Sequence, residues 1–283
     1  MSVPWYSAIY KDGRLEITDW TSEINSRTNP PPKGFLNDLP PDLRILICEK
    51  IPLTDEDLPD QWPPLLESLS LNYTQITILI LPPSLKRCDC GGNPSLTILH
   101  AFEGLEHLAS VDSGITSDLK IPSTVTSLHM AYCKLPTLPV LPSGLKELRV
   151  NDCGLTHLSD LPPTLETLAV DHNDLTAIPP LPSTLKTIVA YKNKLASFPP
   201  VPERVTLLLI QENHLLSLPT LPMSLEILNV DDSIASSIDR TRWTHERKSS
   251  NYWHWETHEY KKQRPVTEYF DWRKTQKELS KLD

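Results

Sequence analysis

The 283 residues carry a formal charge of −9 and contain no run of 18 apolar residues, so no membrane-spanning helix is expected. Residues 237–283 hold 11 Lys/Arg and 8 Asp/Glu, which leaves 16 and 28 for residues 1–236; an acidic body of that kind argues against nucleic acid as the main partner. Five cysteines with no apolar leader behind Met1-Ser2-Val3-Pro4 argue against both a cleaved signal and a disulfide framework.

At the N-terminus, WYSAIYKDGRLEITDW sets Asp12-Gly13 between two alternating runs, the pattern of a tight hairpin. Residues 5–20 are expected to form a two-stranded cap, with a ligand-binding hairpin as the alternative. Asn29-Pro30-Pro31-Pro32-Lys33-Gly34 reads as a linker. Residues 1–38 together form the N-terminal cap.

One phrase then recurs over residues 39–236. Its clearest copies are LPPTLETLAVDHNDL (161–175), LPSTLKTIVAYKNKL (181–195), VPERVTLLLIQENHL (201–215) and LPMSLEILNVDDSI (221–234). The anchors Leu85, Leu105, Val125, Leu145, Leu165, Leu185, Val205 and Leu225 follow a 20-residue step, and looser copies at Leu43 and Leu66 bring the number of repeats to ten. Apolar residues three, five and ten positions after each anchor, with Asn eight after it, give the leucine-rich-repeat pattern; Leu165, Leu168, Val170, Asn173 and Leu175 fit it fully. Alternation at offsets three and five is that of a short strand with one face buried. A single unit cannot bury that face alone, whereas stacked units share one core. Asn93, Asn173, Asn193 and Asn213 fall where the chain turns, and an amide there can satisfy backbone groups that the turn leaves unpaired.

The 28 prolines against eight glycines fall mainly just before the anchors, as in Leu-Pro-Pro and Leu-Pro-Ser. Proline fixes φ and lacks a donor, so the return segments are expected to be extended or polyproline-like and not helical. Cys48 and Cys90 occupy offset five, Cys88 offset three, and Cys133 and Cys153 the asparagine position. The Cys-x-Cys at 88–90 therefore reads as two inward thiols in preference to a metal site.

Offsets two, four and six point away from the core onto the concave face. Glu147, Arg149, Asn151, Thr167, Ala169 and Asp171 make a polar centre there, while Val189, Tyr191, Leu207, Leu209 and Ile227 make an apolar patch, with Gln211 beside it. An apolar patch facing solvent marks an interaction site, and aromatic anchors carry much of the energy of such sites. The patch is read either as the partner site or as a surface covered by the C-terminal tail.

That tail, residues 237–283, contains four of the seven tryptophans. Tyr269, Trp272, Gln276 and Leu279 fall near helical spacing and suggest a short final helix. His254 and His258, at i and i+4 with His245 upstream, invite a zinc reading, but they fall short of a ligand set and no metal is expected. The mixed aromatic and basic residues could stack nucleobases, but the acidic body disfavours it. A docking element is the preferred reading. The sequence contains no Gly-rich phosphate loop, Gly-x-Ser-x-Gly or His-Glu-x-x-His motif, and no catalytic residue or cofactor is assigned.

The units from about 121 to 234, with their LPxLPxxLxxLxVxxNxL phrase, resemble the leucine-rich-repeat domain of the IpaH/YopM family of bacterial type III secretion effectors. The resemblance implies a curved parallel sheet, delivery into a host cell by a non-cleaved signal, action in its cytoplasm or nucleus, and binding of a host protein. It also implies a virulence role. IpaH-like members add a ubiquitin-ligase domain with a catalytic cysteine, yet no cysteine follows Cys153 here, so a thioester-forming thiol is missing from the tail. A YopM-like module without ligase chemistry is the expectation, and the substrate-recognition part of a ligase-type effector is the alternative. The N-terminus departs from the helical hairpin common in the family.

Overall fold

The computed structural model describes residues 6–19, 34, 36–236, 238, 241, 243–248 and 252–257. At its front, β1 (Tyr6–Lys11) and β2 (Arg14–Asp19) pair antiparallel. They reverse through Asp12 (φ 52°) and Gly13 (φ 76°), the two consecutive left-handed residues that a two-residue hairpin turn requires.

The repeats follow as β3 (Ile45–Glu49), β4 (Ser68–Ser70), β5 (Ile78–Ile80), β6 (Arg87–Asp89), β7 (Ile98–His100), β8 (His107–Ala109), β9 (Ser127–His129), β10 (Glu147–Arg149), β11 (Thr167–Ala169), β12 (Thr187–Val189), β13 (Leu207–Leu209) and β14 (Ile227–Asp231). After them come α1 (Asp232–Ala235), β15 (Trp243–Lys248) and β16 (Tyr252–Thr257). Fourteen strands form one sheet in the order β1-β2-β3-β4-β6-β8-β9-β10-β11-β12-β13-β14-β16-β15. From β2 to β14 every pairing is parallel.

The 20-residue step becomes strand register: Leu128, Leu148, Leu168, Ile188, Leu208 and Leu228 stand opposite one another along the stack. All six are fully buried, as are the anchors Leu145, Leu165, Leu185, Val205 and Leu225, and they join one continuous core. The prolines open tight turns that deliver each anchor to its strand: the N–H groups of Leu145, Leu165 and Val205 donate to the carbonyls of Pro142, Pro162 and Pro202 at 3.1 Å. Among the described residues, helix is confined to α1 and one 3-10 turn at Asp55–Asp57.

From β3 to β13, each repeat strand of the main sheet leaves it through a left-handed residue at offset seven. Tyr132, Asp152, His172, Lys192 and Glu212 have φ of 57°, 56°, 53°, 52° and 56°. Left-handed backbone costs a non-glycine residue about 1–2 kcal/mol. A hydrogen bond to the next repeat offsets the strain: the N–H groups of Tyr132, His172 and Lys192 donate to the carbonyls of Asn151, Tyr191 and Gln211 at 2.9–3.0 Å.

The asparagine one residue further on is the main polar device of the interior. Asn173 Nδ2 donates to the carbonyls of Val150 and Val170, both 2.9 Å, while its Oδ1 accepts from the N–H groups of Cys153 (3.1 Å) and Leu155 (3.0 Å). Asn93, Asn193 and Asn213 repeat the arrangement. Where cysteine replaces asparagine, the thiol donates to the equivalent carbonyl: Cys153 Sγ to Met130 O at 2.9 Å and Cys133 Sγ to Ser110 O at 3.0 Å. All five thiols are buried and unpaired. Burial pushes Cys153 up to about 12 and raises Cys48 and Cys133, which leaves these thiols protonated and inert near neutral pH.

Two features depart from the sequence reading. The return segments of two early repeats form a second parallel pair, β5 with β7, on the convex side. Its outward Ile78, Ile80 and Ile98 are exposed, as is Phe102 just beyond. In the tail, the described residues form an antiparallel hairpin, β15 with β16, that extends the sheet by pairing β16 with β14. Trp255 stands opposite Leu228, and Trp243 and Trp255 are both buried in the core. The tail thus closes the end of the solenoid by adding strands at its edge. The proposed final helix around Tyr269–Leu279, the linker residues 29–33 and His258 lie outside the described residues.

Candidate protein-binding face

The concave side of the sheet is built by rows of offsets two, four and six. Because neighbouring parallel strands stand ~4.8 Å apart, each row is a line of side chains in lateral contact. Glu147 and Arg149, two residues apart on β10, share a face: Arg149 Nε donates to Glu147 Oε1 at 2.6 Å, and Ser127 Oγ donates to its Oε2 at 3.0 Å. His129 Nε2 lies 3.4 Å from the same carboxylate. The His129 hydrogen bond, and then the Arg149 charge, hold the Glu147 carboxyl far below the usual range in spite of its burial. Its pairing therefore stabilises the fold fully above the ordinary glutamate pKa and is lost only in strong acid.

Further along, the row at offset six runs Asn151, Asp171, Tyr191, Gln211, all but Tyr191 buried. His172 Nδ1–H donates to Asp171 Oδ2 at 2.9 Å, and the imidazole meets the Tyr191 ring edge-on with centroids 4.9 Å apart. Asp152 Oδ2 lies 4.0 Å from the same imidazole nitrogen. Asp171 is 1% exposed, and burial raises its pKa against the His172 hydrogen bond; burial, followed by the Asp171 charge, raises the Tyr191 phenol.

The expected apolar patch needs one correction. Val189 and Ile227, read as facing solvent, are only 4% and 7% exposed, whereas Leu207, Leu209 and Tyr191 are half-buried. Three-residue strands on a concave surface pack laterally, so outward direction does not guarantee exposure. Glu147, Arg149, Tyr191, Leu207 and Leu209 keep accessible surface, while Asn151, Asp171 and Gln211 lie behind them. Sequence reasoning passed over Asp152 and His172, because offset seven registers only as a turn. The left-handed turn is what swings both beside Asp171. Among the described residues, no three His, Cys, Asp or Glu side chains are grouped to hold a metal, and no helix is long and apolar enough to cross a membrane.

A sheet of ten register-matched parallel repeat strands, the last eight at a 20-residue period, with asparagines bridging consecutive turns, defines a leucine-rich-repeat solenoid protein. Within that class the chain is similar to solved structures of YopM. YopM from Yersinia enterocolitica WA-314 superimposes with a TM-score of 0.59 at 27% identity over 67% of this chain. YopM of Yersinia pestis, described as a leucine-rich effector protein, does so with a TM-score of 0.53 at 27% identity over 66% of it. The chain spans 46% and 60% of those two proteins. No family model matches it, and no curated protein does.

Proposed function

We propose that this chain is a protein-interaction module of a secreted bacterial effector, which acts in the host cytoplasm or nucleus by binding or scaffolding a host protein through its concave face. The observation that carries the reading is the YopM-like solenoid together with a concave strip that holds half-buried Leu207, Leu209 and Tyr191 and, two to three strands away, the charged pair Glu147 and Arg149. A rigid ribbon of that composition provides aromatic and aliphatic anchors with a polar surround, the combination on which protein interfaces concentrate their binding energy. A non-catalytic role fits the burial of all five thiols, none of which is placed to act as a nucleophile. The substrate-recognition part of a ligase-type effector remains the second reading, and a ubiquitin-discharge assay separates the two.

Leu209→Asp tests the docking face. The side chain is half-buried on the concave row, so the charge is expected to weaken capture of the host partner at least tenfold while the melting temperature moves by only a few degrees (about 1 kcal/mol for a partly exposed site). Unchanged capture, or a collapse of stability, would remove Leu209 from the docking surface.

A further inference from the structure

Two side chains on the concave face hold buried acceptors without a hydrogen bond of ordinary geometry. These are Asp171 Oδ1 and Gln211 Oε1, on residues 1% and 5% exposed; the Tyr191 hydroxyl is a hydrogen-bonding neighbour of the Asp171 carboxylate but leaves its Oδ1 without such a bond. They flank Tyr191 in the row at offset six, one strand to either side. Buried polar atoms of native proteins are normally paired, and an orphaned acceptor signals a missing donor. Both orphans here are oxygens, so the missing group donates and does not accept.

The surroundings specify its charge. Asp152, half-buried, and Asp171 are both carboxylates, and among the described residues His172 is the only salt-bridge partner of either. One imidazole that donates a single Nδ1–H to Asp171 cannot neutralise both. Tyr191 is half-buried beside them and Tyr132 is exposed in the same run of turns, so two aromatic rings border the acids. Carboxylate, amide oxygen and aromatic ring are the groups that recognise a guanidinium, which is planar, weakly hydrated and carries five donors.

We infer that Asp171, Gln211 and Tyr191, with Asp152 and His172 at the rim, form a site for an arginine side chain presented by the protein partner. The site rests on the concave docking reading and supplies its specificity. Because Asp171 Oδ1 is sealed, engagement requires the Tyr191 ring to swing aside. The ring then lies against the guanidinium, which bonds Asp171 behind it and Asp152 in front.

The test uses the full chain labelled with nitrogen-15 and titrated with acetyl-Gly-Arg-Gly-amide. Saturable shifts are expected at the Gln211 side-chain amide and at the backbone signals of Asp171, His172 and Tyr191. The citrulline peptide, a neutral isostere, and the lysine peptide should need at least tenfold higher concentration. Asp171→Asn should abolish the preference for arginine over citrulline. Should that variant fold poorly, Asp152→Asn at the more accessible rim is expected to weaken the arginine peptide several-fold with the remaining spectrum unmoved. Equal response to citrulline, to lysine or to calcium chloride, or undiminished arginine binding by the variants, overturns the site. If Leu209→Asp abolishes partner capture while the arginine peptide produces no saturable shift, the docking face stands and the guanidinium site falls. The opposite pair of results sinks the docking face and keeps the site.

Discussion

Asn173→Leu is expected to destabilise the protein by about 4 kcal/mol or more, although leucine has the same branched shape as asparagine. The loss comes from the backbone. In the native chain the Asn173 amide serves the carbonyls of Val150 and Val170 and the N–H groups of Cys153 and Leu155, all in the interior. Leucine leaves three of these groups without a partner, since the Val170 carbonyl keeps Asn193 Nδ2 at 3.0 Å, and each stranded buried group costs about 1–3 kcal/mol before local relaxation. Asn173→Cys is the informative companion, because cysteine already occupies this position in the two preceding repeats and donates to the equivalent carbonyl from Cys133 and Cys153. Urea unfolding should rank wild type, then Cys, then Leu. A leucine variant as stable as the wild type would show that the amide ladder is not what ties one turn to the next.

The second large effect is expected at the C-terminal closure. Trp255 is 2% exposed opposite Leu228, and truncating a buried tryptophan costs ~3–5 kcal/mol. In a solenoid each unit leans only on its neighbours, so the damage should be local. Trp255→Ala is predicted to accelerate amide exchange in β13 and β14 while β9 and β10 keep their protection. Loss of β16 would also bare the edge of β14, an unpaired strand that invites association with another copy. Concentration-dependent oligomers on size-exclusion chromatography are therefore expected with the variant. Uniform exchange throughout the sheet, or a monomer with wild-type stability, would contradict the capping role of the hairpin.

These expectations depend on how much of the molecule a reader can take from its letters. The leucine spacing suffices for the core: Leu148, Leu168 and Leu208 turn inward because strand alternation and a fixed period leave them no other direction. Asn173 and the two turn cysteines are legible for the same reason, since each position has a fixed duty in the turn. The C-terminal hairpin was less so. WTHERK and YWHWET do alternate, with Ser249-Ser250-Asn251 between them, but charges and histidines outnumber aliphatics and mask the strand pattern. The convex pair β5 and β7 could have been read from TILI and TILH, β-branched runs placed where later repeats carry proline. Exposure on the concave side was not legible at all. Val189 and Leu209 stand in the same row with the same polarity, yet one is sealed and the other half-open, because lateral packing depends on which residues occupy the neighbouring strands.

The docking face is tested most directly by placing a photo-crosslinking benzoylphenylalanine at single positions and irradiating the full chain in host-cell lysate. Substitution at Leu209 on the concave row is predicted to yield one predominant adduct that Leu209→Asp capture experiments also identify, whereas substitution at the exposed Val140 outside the sheet yields none. An adduct formed from position 140 and absent from position 209 would contradict the assignment of the concave sheet as the surface that grips another protein.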